Sequence, residues 1–468
     1  MWESDKGNKV EGIGTTVKRR KAVREFASAA AGYEMRVSSR NPLDATHANP
    51  LVNRDNADWL TMAAIPLHFQ APVRSILMTL DNLAIQELTA LRAADLERSL
   101  RTVSHPGGHV RIEGRDFVNF SSNDYLGLAR HPAVVDAGCR ALRAYGSGAG
   151  ASRLVTGTLP VHEALEATLA EWKGYPSALL FGSGYLANCG IIPALVSRHD
   201  VVCADRLIHA SLLDGIRLSG ARLRRYRHNR MDHLERLLAE APPAARKLVV
   251  TESVFSMDGD LAPLEDIVAA ATRHGAIVLV DDAHAVGLFG ARGAGCVARS
   301  ELREGIDLCV GTLSKSLGSY GGFVACTKPV RDLLINRVRS FIFTTGLPPA
   351  SAAAALAAIG IAREGQRGRE TIEKAAYMRE VLRRAGLRTG ASASPIVPVI
   401  VSKNRSAVNL SRRLRERGIL VVAIRPPTVP ENTARIRLSV TYEHTRQQLE
   451  MAAAAIAEAV AEENVNDD

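Results

Sequence analysis

Aromatic side chains make up only 5% of this 468-residue chain, too few for the interleaved rings of a single-strand nucleic-acid reader. No uninterrupted apolar run reaches membrane-spanning length, and no charged-then-apolar segment ends in a small-residue cleavage site, so the chain reads as cytoplasmic with no membrane partner. The six cysteines, at 139, 189, 203, 296, 309 and 326, include no CxxC pair and no histidine at ligand spacing, so they predict reduced thiols and no metal centre. No internal repeat is evident. What is abundant is positive charge: the formal net charge is +10. The basic clusters are short, KRRK at 18 to 21 and RRYRH at 224 to 228, which fits an anionic small substrate and not a nucleic acid.

The composition, 46% hydrophobic and 23% charged, is that of a globular protein long enough for two or three domains. Residues 1–77 lack strand-helix alternation and read as a disordered leader or a start-site artefact. Residues 78–125 read as an N-terminal helical arm, with Leu83, Leu88, Leu91, Leu96 and Leu100 along one side of a helix. Across 126–360 the strands SALLF, DVVCA, RKLVVTE, AIVLVDDAH and DLCVG alternate with amphipathic helices, the signature of a large, mainly parallel sheet covered by helices. The pattern then changes to helix, PIVPVIV, helix, GILVVAI and ARIRLSV, which predicts a smaller C-terminal α/β domain over 361–468.

Chemistry concentrates where strands end. In DLCVGTLSKSLGSYGGF (307 to 323), Lys315 follows a buried strand, with Thr312, Ser314 and Ser316 offering hydroxyls to an anion. Gly318, Gly321 and Gly322 let the backbone pass close to another object. In AIVLVDDAHAVG a buried strand delivers Asp281, Asp282 and His284 at its C-terminal edge, where open α/β sheets place ligands. Strand alternation sends Asp281 and His284 to opposite faces, so one shared ligand requires the strand to turn between them. LLFGSGYLANCG opens a helix through Gly182, Ser183 and Gly184, whose free N–H groups suit a phosphate. TESVFSMDGD adds Glu252 and Ser256. YGSGAGAS (145 to 152) matches the loose dinucleotide pattern but follows a helix, so it reads as a close-approach loop and not a nicotinamide site. A lysine, carboxylates, a histidine and a phosphate cradle together imply a carbonyl cofactor with a phosphate and a basic ring nitrogen, and pyridoxal 5′-phosphate meets every condition. The alternative of another class is a non-catalytic cofactor- or nucleotide-binding protein.

The segments NFSSNDYLGL, GSGAGASRLVTG, DRLIHASLLDG, TESVFSMDGD, VDDAHAVG, GTLSKSLGSYGG and IRPPTVPENTARIRLSVT resemble, in order, the α-oxoamine synthases among the fold-type I pyridoxal-phosphate enzymes, over roughly residues 80 to 462. The resemblance implies a homodimeric acyltransferase with active sites near the subunit interface. The pair DRLIHASLLDG and AIRPPTVPENTARIRLSVT points within the family to decarboxylative condensation of L-alanine with a pimeloyl thioester, with sister amino acid and acyl pairs as the alternative. It implies that Lys315 carries the cofactor carbonyl, that Asp281 holds the ring nitrogen protonated, and that His284 and Ser256 bond the ring's O3′ side. Gly184, Tyr185 and Thr312 are implied at the phosphate, with Thr344 or Thr345 of a second subunit reaching it. Glu252 completes the cofactor set. His209 is implied to stack on the ring, Arg437 to clamp the amino-acid carboxylate with help from Asn123, and Arg98 (or Arg101) and Thr428 to meet the acyl substrate. The freed Lys315 amine is expected to sit near neutral pH because of cationic surroundings. Tyr185 departs from the phenylalanine common in the family, and ARIRLSV places Arg435 on the same strand face as Arg437, so spacing alone does not choose between them.

Overall fold

A computed structural model of the chain describes residues 79–465 apart from 105, 106 and 299; the expected leader over 1–77 lies outside the described residues. Short aliphatic runs, fully buried on both faces, become the parallel strands of one sheet, as β-branched and leucine-rich segments do when helices cover both sides. In chain order the strands are β1 (His109–Ile112), β2 (Arg115–Asn119), β3 (Ser177–Phe181), β4 (Val201–Asp205), β5 (Arg222–Tyr226), β6 (Lys247–Glu252) and β7 (Ile277–Asp281). They continue with β8 (Leu308–Thr312), β9 (Gly322–Cys326), β10 (Ile396–Ser402), β11 (Ile419–Leu420), β12 (Val422–Ile424) and β13 (Ala434–Ser439). The central sheet has seven strands in the order β3-β9-β8-β7-β6-β4-β5. Strands β8, β7, β6, β4 and β5 run parallel, and β9 is antiparallel to both its neighbours. The α/β fold with a large, mainly parallel sheet is the one the strand pattern predicted.

Four strands carried no advance signal: β1 and β2, in the stretch read as a helical arm, and β5 and β9 of the central sheet. β5 is RLRRY, with hardly an apolar residue, because it lies at the sheet edge, where charged side chains discourage pairing with another chain. The basic cluster RRYRH therefore lies at a sheet edge. β9 begins at Gly322, where a Cβ would stand 2.5 Å from the Gly184 nitrogen, so glycine is required for β9 to press against the phosphate-loop segment.

The smaller C-terminal sheet is antiparallel, β10-β13-β12. The run GILVVAI divides between two sheets: Ile419–Leu420 adds to β2, and Val422–Ile424 adds to β13. Strands from the 78–125 stretch and the 361–468 stretch thus share a sheet. A core of aliphatic side chains from both, including Phe120, Leu382, Val399, Leu414 and Leu438, lies beneath it.

The N-terminal helix is shorter than its leucine spacing predicts. It spans Leu80–Ala93 and stops where Asp95 takes a left-handed φ of 54°, so Leu96 and Leu100 fall beyond it. Its leucines bury nothing against the described chain: Leu83, Leu88 and Leu91 are all exposed. Among the described residues no helix is long and apolar enough to cross a membrane.

Candidate active site

Strands β6, β7 and β8 end side by side and set three groups in a row. Glu252, last in β6, is the register partner of Asp281, last in β7, and Asp281 is in turn opposite Val310, two residues before Thr312 at the end of β8. Beyond Asp281 the chain turns at once, with Ala285 N–H donating to the Asp282 carbonyl at 2.9 Å. That turn brings His284 Nε2 to 2.8 Å from Lys315 Nζ. The loop holding Lys315 is closed between β8 and β9: Leu313 N–H donates to the Gly321 carbonyl at 3.0 Å and Thr312 Oγ1 to the same oxygen at 2.9 Å.

The protonation pattern follows from burial. The His284 ring is held well below its ordinary pKa, first by desolvation and then by the positive charge of Lys315 and Arg437. It is therefore neutral and accepts from the lysine at Nε2, so its proton sits on Nδ1, 2.9 Å from the Tyr125 hydroxyl. Tyr125 in turn donates to Asn123 Oδ1 at 3.2 Å, and Arg437 Nη2 donates to both, at 3.2 and 3.3 Å. Lys315 itself is lowered to about 8. Burial is the main cause, Asp281 and Glu252 oppose it, and only Arg437 adds a cationic push, so the expectation of a broadly cationic setting is corrected. Glu252 is raised well above the carboxylate range by burial and by the Asp281 charge, which keeps it a neutral acid.

Asp281 is buried and makes no ion pair among the described residues. Asn188 Nδ2 donates to its Oδ2 at 2.7 Å and Ala283 N–H to its Oδ1 at 3.0 Å, which fixes the carboxylate plane. Behind it Asp282 turns the other way, into a fully buried pair with Lys173, supported by Ser253 Oγ at 2.6 Å. Asp282 thus belongs to the core and not to the cleft.

Arg435 and Arg437, indistinguishable by spacing, part company here. Arg435 Nη1 is 2.5 Å from Asp258 Oδ1 and is neutralised. Arg437 is equally buried, yet it meets no carboxylate among the described residues; its Nε donates to the Ser256 carbonyl at 2.7 Å and its Nη1 to Ser439 Oγ at 2.8 Å. A buried guanidinium without a counter-anion is costly to keep and suits an anion brought from solution.

At the far side, Gly184 opens the Gly184–Leu195 helix with Ser183 as its cap, and Thr312 stands opposite. A Cβ at Gly184 would meet Thr312 only at 3.5 Å, so the chain's own packing does not demand glycine there. Tyr185 projects outward and donates to Asp214 Oδ2 at 2.6 Å, a bond that pushes its phenol up to about 12. His209 caps the Ala210–Ser219 helix and lines, with Ser256 and Thr428, an adjoining cleft of about 870 Å³. Arg98 and Arg101 lie elsewhere, in a groove of about 580 Å³ that meets the cleft at Thr428. Thr344 and Thr345 make no hydrogen bond to the Lys315 group; Thr345 instead bridges Ser152. The close-approach reading of the 145–152 loop is corrected: a Cβ on Gly146, Gly148 or Gly150 would meet no described atom within 4 Å, and Gly146 and Gly150 serve instead the positive φ of the turn, at 82° and 74°. The tight contact is at Gly157, where a Cβ would fall 2.0 Å from the Ala151 carbonyl oxygen.

Residues 115–456 match the family model of class I and II aminotransferases. An 8-amino-7-oxononanoate synthase of Geobacter sulfurreducens is 51% identical over 375 residues, covering 79% of this chain and 96% of the relative. The chain belongs to the 8-amino-7-oxononanoate synthase family. Among solved structures, a serine palmitoyltransferase from S. paucimobilis with bound PLP superposes with a TM-score of 0.78 at 34% identity, over 83% of this chain and 99% of that one. The 8-amino-7-oxononanoate synthase of Francisella tularensis does so with a TM-score of 0.64 at 29% identity, over 74% and 99%.

The cofactor of this 8-amino-7-oxononanoate synthase family member is pyridoxal phosphate, and the site fits it. A buried carboxylate with no cation awaits a protonated ring nitrogen, Glu252 Oε1 and Asn188 Oδ1 are buried without partners, and a glycine-led helix start faces Thr312. Asp281→Asn should therefore bind cofactor weakly and lose exchange of the alanine Cα proton, because an amide keeps the shape and loses the charge. Normal exchange in that variant, followed by NMR in heavy water, would show Asp281 to be structural. Sequence reasoning overlooked Tyr125, Asn188 and Asp258. All three sit inside quoted motifs, NFSSNDYLGL, LLFGSGYLANCG and TESVFSMDGD, and the available signal was a polar residue close to each strand end.

Proposed function

We propose that the protein joins L-alanine to a pimeloyl thioester, releasing CO₂ and the free thiol, to give 8-amino-7-oxononanoate for biotin biosynthesis. The observation that carries it is the placing of a half-buried lysine and a buried, anion-free arginine on one hydrogen-bonded chain, Lys315–His284–Tyr125–Arg437. The amino acid and acyl partner follow the name borne by relatives about half identical to this chain.

In this reading Lys315 holds the cofactor's carbonyl carbon, Asp281 its ring nitrogen, and His284 and Ser256 its phenolic side, while Gly184, Tyr185 and Thr312 surround the phosphate. Pyridoxal phosphate supplies an electron sink for negative charge at the amino acid's Cα. Arg437 would grip the alanine carboxylate as the buried cation that meets no carboxylate among the described residues, with Asn123 and Tyr125 fixing its plane. The Lys315 amine, released when the alanine amine takes its place on the cofactor and with a pKa brought by burial to about 8, would then take the Cα proton at Nζ. His284 Nε2 keeps that nitrogen aimed. Neutral Glu252 leaves Asp281 as the one carboxylate charge beside the ring. His209 and Thr428 line the cleft through which the thioester arrives, and Arg98 or Arg101 meets it further along the groove. The enzyme acts as a cytoplasmic homodimer, with Thr344 or Thr345 of the second subunit completing the phosphate site.

Turnover of alanine, glycine and serine against pimeloyl, acetyl, succinyl and palmitoyl thioesters tests the assignment. The alanine and pimeloyl pair should exceed every other combination, and a preference for serine with palmitoyl would overturn it. Arg437→Lys should raise the alanine KM by roughly ten- to a hundredfold, since it removes charged hydrogen bonds worth about 1.5–3 kcal/mol each. The cofactor spectrum should stay normal. Arg435→Lys, run beside it, should leave the alanine KM near the parent value, because Arg435 already has its carboxylate.

A further inference from the structure

Two walls of the cleft hang on one residue that sequence reasoning passed over. His228 follows the edge strand β5, and its ring lies between two carboxylates: Nδ1 is 3.0 Å from Asp205 Oδ1, and Nε2 is 2.7 Å from Asp260 Oδ2. Asn229 reinforces both arms, through its N–H to Asp205 Oδ2 at 2.9 Å and its Nδ2 to Asp260 Oδ2 at 3.1 Å. Phe255 meets the ring edge-on at 4.4 Å. Asp205 ends β4 and accepts from Leu207 N–H at 2.8 Å, so it starts the segment that leads to His209. Asp260 closes the loop that begins at Phe255, whose N–H donates to the Asp260 carbonyl at 3.0 Å. That loop supplies Ser256, whose carbonyl holds Arg437 Nε, and Asp258, which neutralises Arg435.

We propose that His228, as a cation clamped between Asp205 and Asp260, is a positioning residue that sets the His209 wall and the Ser256 loop together and so aims Arg437 at the amino-acid carboxylate. Burial alone lowers the affinity of the ring for its proton, but the hydrogen bonds that the ring donates to Asp205 and Asp260 outweigh that and hold its pKa up to about 10. The ring therefore stays charged across the neutral range. A neutral ring has one N–H to donate and cannot satisfy two carboxylates at once.

The inference rests on Arg437 as the carboxylate clamp, and the experiment separates the two. His228→Gln is compared with the parent holoenzyme in steady-state kinetics and in amide hydrogen exchange. The alanine KM should rise about tenfold or more while kcat stays within about threefold, with the cofactor absorbance unchanged. Peptides covering 205–213 and 253–261 should both exchange faster, while those covering β7 and β8 keep their protection. Asp260→Asn, which breaks one arm and preserves shape, should shift the same KM by a smaller factor and serves if His228→Gln does not fold. Parent-like KM in both variants, with only a lower Tm, would overturn the proposal. If Arg437→Lys leaves the alanine KM unchanged, the carboxylate-clamp reading fails by itself, and the paired exchange in the two segments still decides whether His228 ties them.

Discussion

Lys315→Ala should leave the folded protein intact and reduce turnover by at least the 10² to 10⁴ that a positioned base contributes, on the order-of-magnitude scale of such groups. The loss should be larger still, because in the proposed mechanism the same nitrogen both holds the cofactor and moves the proton. The fold should survive because Lys315 makes no ion pair with a carboxylate among the described residues and its loop is closed by Thr312, Leu313 and Gly321, none of which the substitution touches. Removing a buried amine whose protonated form burial disfavours relieves the fold of a desolvation cost. Rapid-quench kinetics and circular dichroism on the same preparation check both halves, and turnover within tenfold of the parent would sink the assignment.

Lys173→Met should lower unfolding free energy by about 3–5 kcal/mol, the cost of leaving one member of a buried pair alone. Lys173 and Asp282 are both fully buried, and the lysine also donates to the Ala294 carbonyl at 2.5 Å. The orphaned carboxylate would keep Ser253 Oγ and the Cys296 N–H but lose the Lys173 cation. Removing both charges in Lys173→Met with Asp282→Leu should recover much of the loss, since the desolvation of both ions disappears with their attraction. Urea unfolding followed by fluorescence decides it: a single variant within about 1 kcal/mol of the parent would mean that the pair contributes nothing net.

What could be read in the sequence divides along physical lines. Strands such as VVCAD and IVLVD were legible because burial on both faces leaves an unbroken apolar run. Lys315, Asp281, His284 and Ser256 were legible because chemistry at strand ends stands out against small residues. β5 was not, since an edge strand is selected for charge, and the division of GILVVAI between two sheets has no periodic trace. The leucines of the Leu80–Ala93 helix have the spacing of a core face, yet spacing does not say where the covering surface is. Tyr125, Asn188 and His228 escaped for a different reason. Their partners, His284, Asp281 and Asp260, are distant in the chain, and a hydrogen bond across such a gap leaves no local pattern. Spacing did not separate Arg437 from Arg435; the family resemblance pointed to Arg437, and Asp258, which neutralises Arg435, supplies a physical reason for that choice.

The strand order carries a consequence for how the chain is made. Among the described residues β3 lies at one edge of the central sheet and pairs with β9 alone, with Leu179 opposite Val324. During synthesis SALLF therefore leaves the ribosome well before that partner strand exists. Contacts of such long sequence separation slow folding and lengthen exposure to aggregation. The last strand to enter the sheet is inserted between β3 and β8, and its arrival also closes the loop that holds Lys315. With Lys315 as the proposed cofactor lysine, capture would be a late event, open only to chains that have finished folding the seven-stranded sheet.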